Sequence, residues 1–296
     1  MVEIIPQWLV NVLSFVTVFS VMTAIGTTIT PSVSFEHIRS PSLLIRGLVC
    51  VLVIVPMIGI TASFAFGLSL PEKVGITLMV IAPGAPLALR RALGSGADAG
   101  FAPTLQIAVA LLAVPVTPLW VMAGNSILGT HGIADVMAVA KQVFLAQLLP
   151  LALGAVVKRS APIWGVWIGT TLGRAGALLL IVAIISQLVD LHYVILSARP
   201  LPVAVAVFTT GAALLVGHLL GGPSLEVRHS VAIAGALRNV GLALLIATTN
   251  HAPPAVQVVI VSYAITAIII VSAYIPLRTR VSARYKSIVG SRDELR

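Results

Sequence analysis

Residues 229–246 read HSVAIAGALRNVGLALLI. The run is long enough to cross a bilayer and apolar at both ends, yet Arg238 and Asn239 stand together near its centre. A charge at mid-membrane costs roughly 2.5–3.5 kcal/mol on insertion scales, so such a residue faces a cavity or a partner. Gly235 and Gly241 flank the pair and invite a break in the helix, where backbone groups could line a site.

The rest of the chain sets that run in a membrane. Hydrophobic residues make up 58 % of 296 and charged residues 9 %, with a mean hydropathy of +1.09. No soluble domain of this length hides so much apolar surface in one core, so the chain reads as an all-α polytopic membrane protein. Apolar runs of about 20 residues mark roughly nine transmembrane helices. They fall near 7–29, 43–66, 73–92, 101–123, 136–157, 163–188, 200–220, 229–248 and 253–277. The first run has no basic stretch before it and no small-residue cleavage site after it, and reads as a retained span. Connections are short, leaving one transmembrane unit over 1–296.

A net charge of +9 would suit nucleic acid, but its distribution fits topology better. With the N-terminus outside, the cytoplasmic loops hold Arg39, Arg46, Arg90, Arg91, Lys158, Arg159 and Arg228. The tail adds Arg278, Arg280, Arg284, Lys286, Arg292 and Arg296. The outer side keeps Lys73, Arg199 and Lys141. That bias follows the positive-inside rule and puts the C-terminus in the cytoplasm of an inner or plasma membrane. The partners expected are the lipid bilayer and a small solute, with no nucleic acid and no protein partner implied. One cysteine, Cys50, excludes an internal disulfide and a thiolate cluster. The six histidines (37, 131, 192, 218, 229 and 251) show no metal-ligand spacing.

A second interruption lies in residues 71–94, PEKVGITLMVIAPGAPLALRRALG. Pro83 and Pro86 each remove a backbone donor and crowd the preceding turn, and Gly84 sits between them, so this span is expected to unwind or kink. The two halves of the chain also echo each other. Ala88-Leu89-Arg90 matches Ala236-Leu237-Arg238, and Pro103-Thr104-Leu105-Gln106 matches Pro254-Ala255-Val256-Gln257. Interruptions at corresponding places in two halves point to an inverted-repeat transporter.

Pro83-Gly84-Ala85, the loop Ala92–Asp98, the helix Thr104–Pro118 and the core Asn239-Val240-Gly241-Leu242-Ala243 together resemble the bile acid:sodium symporter family. The likeness covers nearly the whole chain and is strongest over 72–118 and 228–277. It implies a core subdomain of approximately 72–124 and 200–278, holding two crossed, unwound helices. A panel subdomain of approximately 1–67 and 136–188 would pack beside it, and nine spans would match a form lacking the first of ten helices. Family members bind two sodium ions near the crossover. Aligned without gaps, their glutamate falls on Ala234 and their glutamine on Arg238. Their Ser-Asn pair falls on Ala88 and Leu89, two hydroxyl positions on Ala102 and Gln106, and an earlier glutamine on Val51. Most cation ligands are therefore replaced by apolar side chains, an amide or a cation.

A census of the acids agrees. Glu3, Glu36, Glu72, Asp98, Asp135, Asp190, Glu226, Asp293 and Glu294 all lie at span ends, in loops or in termini, leaving no carboxylate at bilayer depth for a sodium ion. No cofactor is expected; sodium remains possible from the resemblance alone. The leading expectation is a secondary transporter moving a small organic anion by alternating access, without sodium coupling. Sodium-coupled symport, the family's own mode, is the alternative. An intramembrane enzyme lacks a buried carboxylate pair or nucleophile–base set, and a non-transporting receptor is the remaining class.

The candidate substrate-binding residues are Arg238, Asn239, Pro83, Gly84, Ala85, Arg90, Gln106 and Gln257. Arg238 offers a permanently charged planar fork suited to carboxylate, sulfate or phosphate; it could equally cap carbonyls of the broken helix. Asn239 could bind solute or satisfy unwound backbone. Arg90 and Arg91 serve topology or reach the cavity, and Gln106 and Gln257 join helices or face the site. Asp98 is expected to cap the span that begins at 101.

Overall fold

The computed structural model describes residues 6–29, 41–129, 134–190 and 199–293, excluding the side chains of 7, 86, 190 and 277–293. Glu3, Glu36, His37, Arg39, His131, His192, Glu294 and Arg296 lie outside these residues, as do the side chains of Asp190 and of the tail cations. Among the described residues there is no strand. The helices are α1 (Gln7–Gly26), α2 (Pro41–Ala65), α3 (Leu70–Val80), α4 (Pro86–Gly94), α5 (Phe101–Leu128) and α6 (Val136–Ser160). They continue as α7 (Pro162–Asp190), α8 (Leu201–Leu220), α9 (Leu225–Ala236), α10 (Val240–Thr249) and α11 (Pro254–Asp293). Eight stretches are long and apolar enough to cross a membrane, counting α9–α10 as one. The remaining expected span falls on α3–α4, whose halves of 11 and 9 residues are each too short alone to cross. The all-α polytopic architecture thus follows the hydropathy pattern, with α11 running on well past its apolar part.

Ends are set by local chemistry. Ser69 and Glu72 form a capping box at α3, the Glu72 carboxylate accepting from Ser69 N–H at 2.7 Å. Asp98 Oδ1 accepts from the N–H groups of Gly100 (3.0 Å) and Phe101 (2.7 Å), capping α5 as expected.

Two groups of helices emerge from the packing. Helices α3, α8, α9 and α11 pack among themselves with α2, and α1 packs against α6 and α7. Helix α2 is seated against α3, α5, α8 and α9. Its small and apolar side chains (Gly47, Val51, Leu52, Gly59) meet those helices: a Cβ on Gly59 would touch Val80 at 2.5 Å. The broken span α9–α10 is the innermost element, 94 % of its apolar window being buried against 22 % for α7. Helix α7 therefore turns most of its surface, including Trp164 and Trp167, outward.

Both histidine-bearing ends of the core are tied down. His229 Nε2 meets Ser95 Oγ at 2.5 Å and its Nδ1 meets Tyr274 Oη at 3.0 Å, while Tyr274 also pairs with His218. This clasp ties the ends of α4, α8 and α9 to the middle of α11.

Candidate functional site

Two prolines open the first break. Pro86 has no N–H to give the carbonyl of Ala82, and that carbonyl accepts instead from Asn239 N–H at 2.9 Å, across to the second break. Gly84 adopts φ +80°, a conformation that residues with a Cβ rarely take. The unwound carbonyls of Ile81 and Pro83 are met by side chains from neighbouring helices. Thr117 Oγ1 donates to Ile81 at 3.1 Å and Gln147 Nε2 to Pro83 at 3.3 Å. The second break contains no proline. Leu237 turns extended (ψ 125°), and Asn239 then starts α10 as its N-cap, Oδ1 accepting from Leu242 N–H at 3.1 Å.

Arg238 lies in that break, 4 % exposed. Its Nη1 donates to the carbonyl of Val51 at 2.9 Å. That carbonyl is available for a readable reason. Residues Cys50–Ile54 form a π-helical turn in which Val55 N–H goes to Cys50, and Pro56 then supplies no N–H. The carbonyls of Val51 and Leu52 are left to side chains, Arg238 for the first and Trp120 Nε1 (2.8 Å) for the second. Nε and Nη2 of Arg238 are buried without a hydrogen-bond partner among the described residues, as is Nδ2 of Asn239. Among the described residues the ion pair that is formed joins Arg199 to Glu72, at 3.4 Å and at the end of a span.

A cavity of about 340 Å³ adjoins the crossover. Ala85, Arg90, Arg91, Arg238, Asn239 and Gly241 line it from the core helices, and Thr17, Val21, Gly173 and Ile181 from α1 and α7. Of the sequence-selected residues, then, Arg238, Asn239, Ala85 and Arg90 share one hollow. Pro83 and Gly84 form the break without lining it. Gln106 is buried nearby, its Nε2 lying 3.7 Å from where a Cβ on Gly84 would sit. Gln257 is buried in α11 and lines no part of this cavity. The Ala-Leu-Arg echo does not superpose the breaks: Ala88–Arg90 belongs to α4, past its interruption, whereas Leu237 and Arg238 lie within theirs.

A second cavity, about 600 Å³, continues from the first through the shared residues Val21 and Arg90. Lys158 and Arg174 line it, with Thr27, Thr28 and Thr170. Arg174 is missing from the sequence-derived candidates. Its signal was a cation well inside the apolar run 163–188, the same signal that singled out Arg238. Gln147 and Thr117, which hold the first break open, carried no such mark.

The profile of the Sodium Bile acid symporter family matches residues 15–199. No curated protein matches the sequence. The match runs from within α1 to just short of α8, so it takes in the first break and α7, while Arg238 lies beyond it. Together with the broken, crossing spans, it means that the chain belongs to the sodium bile acid symporter family, a family of membrane transporters.

Proposed function

We propose that the protein is a secondary transporter of a small organic anion, working by alternating access and without sodium coupling. The observation that carries this is the 2.9 Å contact of Arg238 with Val51. By resemblance to the family, these two positions correspond to two of the cation ligands, and here a guanidinium joins them directly. The surroundings suit a sodium ion poorly. Ala234 and Ala88 offer no side-chain oxygen, and a fixed cation at the crossover opposes a second one. The same cation favours an anion in the adjoining cavity, and so does the N-terminus of α10, whose first N–H groups carry partial positive charge.

The place of the cavity supports alternating access: α1 and α7 line one side of it and the core helices the other. Rocking of one against the other would expose the crossover to each side in turn.

The test starts with a thermal-shift screen of carboxylates, sulfonates and phosphate esters on the purified protein, in sodium and in potassium. Uptake of each hit into proteoliposomes then follows at clamped membrane potential. Equal uptake in the two cations is the expected result; uptake that rises steeply with sodium would overturn the proposal.

A further inference from the structure

The larger cavity has a composition that topology does not explain. Its three cations come from three helices: Arg90 from α4, Lys158 from α6 and Arg174 from α7. The positive-inside rule accounts for Lys158 at a helix end. It does not account for Arg174, which follows Pro162 by about 18 Å of helix at ~1.5 Å per residue, inside a span of 28 residues. Arg90 reaches the same place because α7 makes room for it. A Cβ on Gly173 would lie 2.2 Å from Arg90 Nη2.

Among the described residues no acidic side chain lines the cavity, whereas three hydroxyls do. Those three hydroxyls are already spent as donors on their own helices. Thr27 donates to Ala24 (2.7 Å), Thr28 to Ile25 (2.7 Å) and Thr170 to Val166 (2.9 Å). Among the described residues the spare donors are therefore those of Arg90 and Arg174 and of the Lys158 ammonium, which gives one long contact, 3.4 Å to Pro162 O. Like charges gathered in one hollow with low-dielectric walls repel each other and concentrate anions there.

We infer that Arg90, Lys158 and Arg174 form a second anion site, built for a ligand with at least two negative charges: a sulfate, a phosphate monoester or a dicarboxylate. A monoanion would leave most of the repulsion in place. The volume, about 600 Å³, lies within the range of small-molecule sites. Arg90 lines both cavities, so an anion held here lies next to the crossover, and this site is its antechamber. That role in transport rests on the function proposed above, whereas occupancy of the site does not.

The ligand's phosphate or carboxylate chemistry could come from a free solute or from an anionic lipid headgroup, and the experiment separates them. Full-length protein in phosphatidylcholine nanodiscs is melted in sulfate, succinate or acetate at matched ionic strength. Sulfate and succinate should raise Tm saturably and acetate should not. Arg174→Gln and Lys158→Gln should each raise the half-saturating concentration about tenfold, with Arg174→Lys close to wild type. Nanodiscs containing phosphatidic acid, whose headgroup is a phosphate monoester, form the second arm. If the headgroup is the occupant, this lipid raises Tm in the wild type but not in Arg174→Gln, and sulfate adds nothing to it. Either pattern upholds the site. Acetate matching succinate, or responses unchanged in Arg174→Gln and Lys158→Gln, would overturn it. Dianion binding that depends on Arg174, with no anion uptake in proteoliposomes, would leave the site standing and remove the transport reading.

Discussion

The backbone N–H of Asn239 donates to the carbonyl of Ala82 at 2.9 Å, so each interrupted helix closes a gap in the other. Asn239 also caps α10 through Oδ1. Substituting Asn239→Ala keeps the cross-break bond, which is backbone, and removes only the cap. It should destabilise the protein by about 1 kcal/mol, and Asn239→Asp, which retains an acceptor, should restore most of the loss. Thermal unfolding in detergent checks this. An alanine variant as stable as wild type would mean that the cap contributes nothing.

Much of this arrangement was legible in the sequence. Pro83-Gly84-Ala85-Pro86 announces an unwound segment because two missing donors cannot be hidden within one turn. Gly235 and Gly241 invite the break around Arg238, and Arg238 itself announces a cavity or a partner because a charge inside an apolar run needs company. The sequence did not reveal the direction of the Arg238 side chain. Its partner carbonyl is freed by Pro56 and a π-turn far away in the chain, and a pattern of apolar residues carries no trace of which carbonyls are unpaired. The seat of α2 is illegible for a similar reason: Gly59, which lets it approach α3 and α8, looks like any other glycine until its contacts are seen. Arg174 was overlooked although the rule that found Arg238 applied to it equally.

Glycines 154 and 173 provide a contrast. A Cβ on Gly154 would lie 2.1 Å from the backbone carbonyl of Thr23, where α1 and α6 meet at their closest. Backbone cannot yield cheaply, so Gly154→Ala should cost about 1–3 kcal/mol and lower Tm accordingly. At Gly173 the overlap is just as severe, 2.2 Å, but with the tip of the Arg90 side chain. That tip can swing away. Gly173→Ala should therefore leave Tm nearly unchanged and weaken anion binding several-fold. Melting curves and sulfate titrations on both variants separate the cases, and equal loss of Tm in the two would contradict them.

Trp120 and Pro56 should be energetically coupled. Because Pro56 gives Leu52 no N–H, Trp120 Nε1 supplies the donor at 2.8 Å. Trp120→Phe should cost about 1–3 kcal/mol, much of it from leaving a buried carbonyl bare. With Pro56→Ala the helix gains a competing donor for that carbonyl, and Trp120→Phe should then cost less. A double-mutant cycle on unfolding midpoints measures the difference. Strict additivity would show that the carbonyl is satisfied some other way.

The role of Arg238 is open to a test by reversal. Arg238→Gln alone should abolish anion transport, since it removes the fixed charge and puts back only the amide that the family resemblance places there. Stability should hold or rise, because a buried guanidinium with Nε and Nη2 unpartnered among the described residues loses more by desolvation than one carbonyl contact returns. Ala234 lies one turn before residue 238, and a glutamate there would restore the missing carboxylate. The double variant Ala234→Glu, Arg238→Gln should accordingly acquire a sodium-dependent rise in Tm, absent in potassium, worth about 2.7 kcal/mol once sodium reaches about a hundred times its Kd. Wild type should show no difference between the two cations. If wild type already responds to sodium, the guanidinium does not stand in for the ion; if the double variant stays blind to it, the lost ligands alone do not account for the missing site.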